Sequence, residues 1–166
     1  MERQGRLELA RQGGATHTLK MGVENAVEAV RDITGGWMLD VVFDVTGHPT
    51  TLSPCIQLAR QLGRLVLLGD TPVPTQQPLG PGVVSNSVAI LGIHGYMVPE
   101  RATALTPWSV DRMSRVFFDY LLTERMDVSR LVTRRCSPLD AAEVYLGLLK
   151  DRTADVGIVF DWSRLG

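Results

Sequence analysis

A chain of 166 residues that is 45% hydrophobic and 21% charged, with mean hydropathy +0.06, has the make-up of a single globular domain and not of a disordered or fibrous protein. Its net charge of −1 comes from Lys and Arg scattered among Asp and Glu, which excludes the basic footprint a phosphate backbone requires, so no nucleic-acid partner is expected. No apolar run approaches the roughly 20 residues that cross a bilayer, and Met1-Glu2-Arg3-Gln4-Gly5-Arg6 has no apolar segment behind its charges, so the expectation is a cytoplasmic protein with no membrane partner.

Arg6-Leu7-Glu8-Leu9-Ala10-Arg11 is rich in strong helix formers, and Gly13-Gly14 follows where a left-handed cap would end a short helix. His17-Thr18-Leu19 is a short strand candidate. Val23, Ala26, Val27, Val30 and Ile33 recur at helical spacing until Gly35-Gly36 stops them. Residues 39–45, a β-branched run without clean alternation, predict a strand covered on both faces in a parallel sheet. Leu52, Cys55, Ile56, Ala59 and Leu62 then form one helical stripe over 51–62, closed by Gly63. Residues 64–69 predict the next buried strand, which completes a βαβ unit.

Four of the nine prolines fall between residues 70 and 82, which predicts an irregular surface excursion before a buried strand over 83–93. Thr106-Pro107 reads as N-cap and first helical position of the longest helix, with Val110, Met113, Val116, Phe117, Tyr120 and Leu121 on its buried face. Ser137-Pro138-Leu139-Asp140 repeats the device as a capping box ahead of Ala141, Ala142, Val144, Tyr145, Leu148 and Leu149. A strand over 156–160 closes the chain. Trp37, Trp108 and Trp162, beside turns and helix starts, read as packing residues. Cys55 and Cys136 stand far apart with no second pair and read as plain buried thiols.

Four blocks in order, spanning nearly the whole chain, carry a family resemblance. They are residues 6–15 (RLELARQGGA), residues 33–47 (ITGG followed by LDVVFDVTG), residues 61–69 (QLGRLVLLG) and residues 127–140 with Leu131-Val132-Thr133 and Ser137-Pro138-Leu139-Asp140. The chain resembles the carboxy-terminal part of the zinc-type medium-chain alcohol and polyol dehydrogenases. The resemblance implies an α/β fold, a partial Rossmann-like and mostly parallel sheet with flanking helices that lacks the first β-α-β of the nucleotide-binding domain. It divides the chain into an incomplete dinucleotide-binding domain over 1–104 and a segment over 105–166 whose helices and final strand complete the junction of the cofactor and catalytic domains.

What the family does then sets the functional expectation: hydride transfer between an alcohol or polyol and NAD or NADP. The family grips the dinucleotide phosphates on a Gly-x-Gly-x-x-Gly turn at a helix N-terminus, and no such turn exists in this sequence. The place of the ribose-binding acid falls at Met1, and Arg3 gives a weak pointer to a 2′-phosphate. The family's zinc ligands lie in an amino-terminal domain with no counterpart here. His17, His48 and His94 are widely separated and read as solvated or structural, so no metal is expected and the chain is expected to be inactive alone.

Cofactor-binding positions carried over by resemblance are Arg6, beside the adenosine ribose, and the turns after the family's fourth to sixth strands: Val45, Thr46 and Gly47, then Leu68, Gly69 and Asp70, then Ile93, His94 and Gly95. Asp40 and Asp44 share one strand face, and strand-end hydrogen bonding or solvent exposure explains them better than a catalytic pair. Loss of the two central strands of the family sheet would leave an apolar edge to be covered, so a homo-oligomer through exposed strand edges, near residues 88–93 where family dimers join, is the expected partner. This supports a second reading of the chain as a non-catalytic self-associating module. A methyltransferase-like Rossmann protein, with residues 44–47 approaching an adenosyl cofactor, is a third.

Overall fold

Strong helix formers give α1 (Glu2–Gln12), which ends where Ala15 N donates to Ala10 O at 2.9 Å around Gly14. The structure is a computed structural model and describes residues 2–153 and 155–165, the side chains of residues 2–4 and of Tyr96 excepted. It forms two compact units, one of Met21–Val110 and one of Met1–Lys20 with Asp111–Gly166. Residues 17–19 take no regular structure, because no neighbouring strand offers them a ladder.

In the unit of residues 21–110, the predicted helical stripe becomes a short 3-10 turn at Val23–Asn25 and then α2 (Ala26–Ile33), which buries Ala26 and Val30. Gly35 closes it at φ +59°, a conformation a side chain would strain, as Gly36 N donates to Arg31 O at 2.8 Å. β1 (Leu39–Asp44), α3 (Leu52–Leu58), β2 (Ala59–Leu67) and β3 (Ala89–Gly92) follow. The three strands are parallel in the order β1-β2-β3, with Val42 opposite Leu65 and Leu65 opposite Ile90. Parallel neighbours need crossovers, and α3 supplies the first.

The core lies between α3 and the sheet. Ile56 and Leu65 are 0% exposed, and Leu52, Cys55, Leu58, Ala59, Val42, Val66 and Val88 are buried around them. Burying a side chain the size of Ile or Leu contributes roughly 1.5–3 kcal/mol, so this cluster dominates the stability of the unit.

Three expectations need correction here. The helix predicted to Leu62 stops at Leu58, and the next residues enter β2 through a bulge. Between Leu39 opposite Ala59 and Val41 opposite Arg64, β2 carries three more residues than β1. Within that bulge Leu62 points to solvent at φ +61°, its N–H donating to Asn86 O at 2.8 Å. The strand predicted over 83–93 contracts to β3, since residues 81–87 fold into turns. β1 is covered on one face only. Val42 and Asp44 are buried on the side of α3, whereas Phe43 on the other side is 62% exposed and Val41 and Val45 are exposed with it. One helix layer can bury one sheet face, and the alternation that follows is the one a half-covered strand shows.

The other unit holds α4 (Val110–Leu122), β4 (Val132–Cys136), α5 (Ala141–Lys150) and β5 (Gly157–Phe160). β4 and β5 pair in parallel across α5, a second and smaller βαβ arrangement. The capping box forms as expected: Leu139 N donates to Ser137 Oγ at 3.3 Å and Ser137 N donates to Asp140 Oδ2 at 3.2 Å. β4 was not expected, because only its ends are apolar and Arg134 and Arg135 break the pattern.

The helix predicted from Pro107 begins at Val110. Its supposed buried face carries exposed Val110, Met113, Phe117 and Tyr120. In α5 only Val144 is buried, and Leu149 is 72% exposed. Two short strands offer too little surface to cover two amphipathic helices. The three tryptophans are likewise exposed, Trp37 at 80%, so none is a core packing residue. Among the described residues no helix is long and apolar enough to cross a membrane.

Candidate functional site

β1 ends on a carboxylate held out of water. Asp44 is 3% exposed, and a buried charge of that kind is tolerable only when hydrogen bonds replace its hydration. Thr46 supplies two of them to Oδ1, its N–H at 2.9 Å and its hydroxyl at 2.7 Å, and the Thr51 hydroxyl donates to Oδ2 at 2.6 Å. Burial pushes the pKa of Asp44 up, but the hydroxyls of Thr51 and Thr46 and the Thr46 N–H together outweigh it, so the group titrates below the ordinary carboxylate range. Asp44 is therefore ionised at neutral pH.

The same residue joins two turns. Its side chain shapes Val45, Thr46 and Gly47, while its main-chain oxygen accepts from Leu68 N at 2.9 Å and Gly69 N at 3.1 Å. Gly47 sits at φ +63°, and a Cβ there would fall inside the carbonyl of Asp70; a Cβ on Gly69 would fall on the Gly47 nitrogen. The turns Val45, Thr46, Gly47 and Leu68, Gly69, Asp70 thus lie directly against each other, and only glycine permits the approach. The third turn follows on β3. Ile93 N continues the ladder to Leu67 O at 3.0 Å, and Met97 N donates to His94 O at 3.0 Å as the chain curls through His94 and Gly95.

Nine of the ten carried-over positions therefore stand along one edge of one sheet, at the carboxyl ends of its parallel strands. That edge is where open α/β sheets hold their ligands. Val45, Thr46, Leu68, Asp70, Ile93, His94 and Gly95 present an exposed surface there, while Gly47 is buried beneath. Arg6, the tenth, belongs to the other unit, where its guanidinium donates to the main-chain oxygens of Arg152 and Asp155. Met1 and the side chain of Arg3 lie outside the described residues.

The remaining candidates separate by environment. Asp40 is exposed and meets Arg60 Nε at 2.5 Å, so the two carboxylates on one strand face have different tasks and form no catalytic pair. His17, His48 and His94 are exposed, with His48 Nδ1 2.9 Å from the Thr50 hydroxyl. Cys55 and Cys136 are buried free thiols, and burial with the nearby Asp44 charge raises Cys55 to about 11. Among the described residues no three or more of His, Cys, Asp and Glu come together in a way that could hold a metal, so these residues do not fit a zinc ion and no chemistry is routed through one.

Sequence reasoning passed over Thr51. It expected strand-end hydrogen bonding or solvent exposure for Asp44 and Asp40, of which Asp44 shows the first and Asp40 the second, but it left Asp44 out of the carried-over cofactor positions. The available signal was local: an Asp two residues before a Thr at a strand end is the pattern of an Asx turn.

Comparison with known proteins follows the same lines. Residues 2–111 match the family described as zinc-binding dehydrogenase. Sorbitol dehydrogenase of Bacillus subtilis is 30% identical over 125 residues, covering 74% of this chain and 35% of that protein. L-threonine 3-dehydrogenase of Symbiobacterium thermophilum is 30% identical over 144 residues, covering 87% of this chain and 38% of that protein. Among solved structures, benzyl alcohol dehydrogenase from Acinetobacter calcoaceticus superposes with a TM-score of 0.73 at 20% identity, over 91% of this chain and 39% of that one. A protein assigned as a zinc-binding dehydrogenase from Sinorhizobium meliloti 1021, bound to NADP, gives 0.68 at 23%, over 87% of this chain and 39% of that one. The chain thus spans between 35% and 38% of the length of the two sequence relatives, and the structural likeness shows a Rossmann-like dehydrogenase fold.

Proposed function

This chain belongs to the zinc-binding dehydrogenase family, and on that footing we propose that it forms the strand-end wall of the dinucleotide pocket in an NAD(P)-dependent alcohol or polyol oxidoreductase. The observation that carries the reading is the alignment of three turns, at 45–47, 68–70 and 93–95, on the carboxyl edge of one parallel sheet, the first two locked together through Asp44. The nicotinamide, when bound, supplies the hydride acceptor or donor. The chain's own contribution is to present the exposed main chain and side chains of these turns to it. With no glycine-rich phosphate turn in its sequence and no set of zinc ligands among the described residues, this chain is expected to bind cofactor weakly and not to turn over an alcohol unaided.

Calorimetric titration of the chain with NADH and with NADPH tests this. Binding tighter than about 1 mM, which corresponds to roughly 4 kcal/mol, is expected for at least one of the two. A folded chain that binds neither at that level would remove these turns from the pocket.

Self-association is a second reading, supported by the uncovered face of β1, where Val41, Phe43 and Val45 stand side by side in solvent. A contiguous apolar face of that kind is a site for another polypeptide. Light scattering should then report a mass that rises with concentration, and Phe43→Ser should lower it while leaving the fold intact; a monomer at all concentrations overturns this reading.

A further inference from the structure

We infer that Asp44 and Thr51 are a positioning pair for the cofactor-facing turn, an inference that rests on the function proposed above. Neither residue lies on the exposed surface the cofactor would touch. Asp44 is 3% exposed and Thr51 sits one residue before α3, yet together they decide where Thr46 is.

Four observations carry the assignment. The first is that Oδ1 of Asp44 takes both polar groups of Thr46, the N–H at 2.9 Å and the hydroxyl at 2.7 Å, so this oxygen fixes the main chain and the side chain of the middle turn residue at once. Next, the carboxylate could still rotate about its last bond, and the Thr51 hydroxyl on Oδ2 at 2.6 Å prevents this. Thr51 is well placed as the brace because its backbone is tied down on both sides: its N–H donates to His48 O at 3.1 Å and its oxygen accepts from Cys55 N at 2.9 Å. Third, the main-chain oxygen of Asp44 accepts from Leu68 N and Gly69 N, so a shift of Asp44 moves the second turn with the first. Last, the contact of Gly47 with Asp70 and of Gly69 with Gly47 leaves no room for the turns to adjust independently. Thr46 also accepts from His48 N at 3.1 Å, so the chain leaving the turn is anchored to the same hydroxyl.

A hydrogen bond to a charged group in such a setting is worth about tenfold or more in the equilibrium it biases. A pocket wall that must be ordered at binding loses affinity by the fraction of time it spends misplaced, so the pair acts on the cofactor without touching it.

The test compares Thr51→Val, which keeps shape and removes the hydroxyl, with Thr51→Ser, which keeps the hydroxyl and removes a methyl group, and adds Asp44→Asn. Two readouts are taken on the whole chain: NADH affinity, and hydrogen exchange at the Thr46 and Leu68 amides by NMR. The expected result is that Thr51→Val weakens NADH about threefold to tenfold, Asp44→Asn weakens it about tenfold or more, and Thr51→Ser stays within about twofold, with Thr46 exchange faster in the first two only. If Thr51→Ser loses as much as Thr51→Val, or if Thr46 exchange is unchanged in Thr51→Val, the residue packs and does not position, and the inference fails. Absence of NADH binding by the unsubstituted chain would overturn the proposed function, while the exchange measurement would still decide whether the pair orders the turn.

Discussion

The two compact units differ in how completely each buries its own apolar side chains. Eleven of the thirteen buried hydrophobic residues described lie in the unit of residues 21–110, and only Cys136 and Val144 lie in the other. The first unit packs α3 against its parallel sheet and α2 against α3, and carries a core of its own. The second has two amphipathic helices of regular pattern but a sheet of two strands, and Phe117, Phe118, Tyr145, Leu146 and Leu149 remain in solvent. Correct local patterning therefore makes helices in both units, whereas stability needs enough opposing surface, which only the first possesses.

The sharpest way to break this comparison is a pair of truncations of similar side chains. Ile56→Ala should lower the unfolding free energy in urea by about 2–5 kcal/mol, because it empties a filled site in the larger core. Leu149→Ala should stay within about 0.5 kcal/mol. Equal effects would show that Leu149 has a packing partner and that the second unit is not the weaker one.

Acid titration probes the charge buried at the edge of the stronger unit. Because folding lowers the Asp44 pKa, its contribution is fully present above the ordinary value of 3.8 and is lost as pH falls through the lowered folded value. Stability of the unsubstituted chain should drop between about pH 5 and pH 2, and Asp44→Asn should make that drop shallower. Identical slopes would mean that the carboxylate is not held by Thr46 and Thr51 in solution.

A smaller effect is expected from thiol labelling under native conditions, read by peptide mass spectrometry after iodoacetamide. Cys55, buried in the larger core with its thiol raised to about 11, should label more slowly than Cys136. Faster labelling of Cys55 would reverse the order of local stability inferred from burial.

How much was legible in advance follows the same division. Helix caps and strand runs that depend on near neighbours were readable: Gly35 as a stop, the Ser137 and Asp140 capping box, and the 39–44 strand all appear where spacing places them. The turns at 45–47, 68–70 and 93–95 were singled out by family resemblance and not by any local rule, since a glycine after a strand is compatible with many turns. The link from Asp44 to Leu68 and Gly69 spans more than twenty residues and leaves no periodic trace.

The sequence by itself determined most of the helices and the strands at 39–44 and 157–160, the parallel α/β class and the membership in a dehydrogenase family, because these rest on local propensity and on ordered motifs. Tertiary structure alone decided that α3 stops at Leu58 so that three residues can bulge into β2, that β1 is covered on one face, and that β4 exists at all. It also decided that a buried aspartate holds two strand-end turns together, at an approach that Gly47 and Gly69 permit. Each of these depends on which surface meets which, and burial is a property of pairs of segments that no single segment encodes.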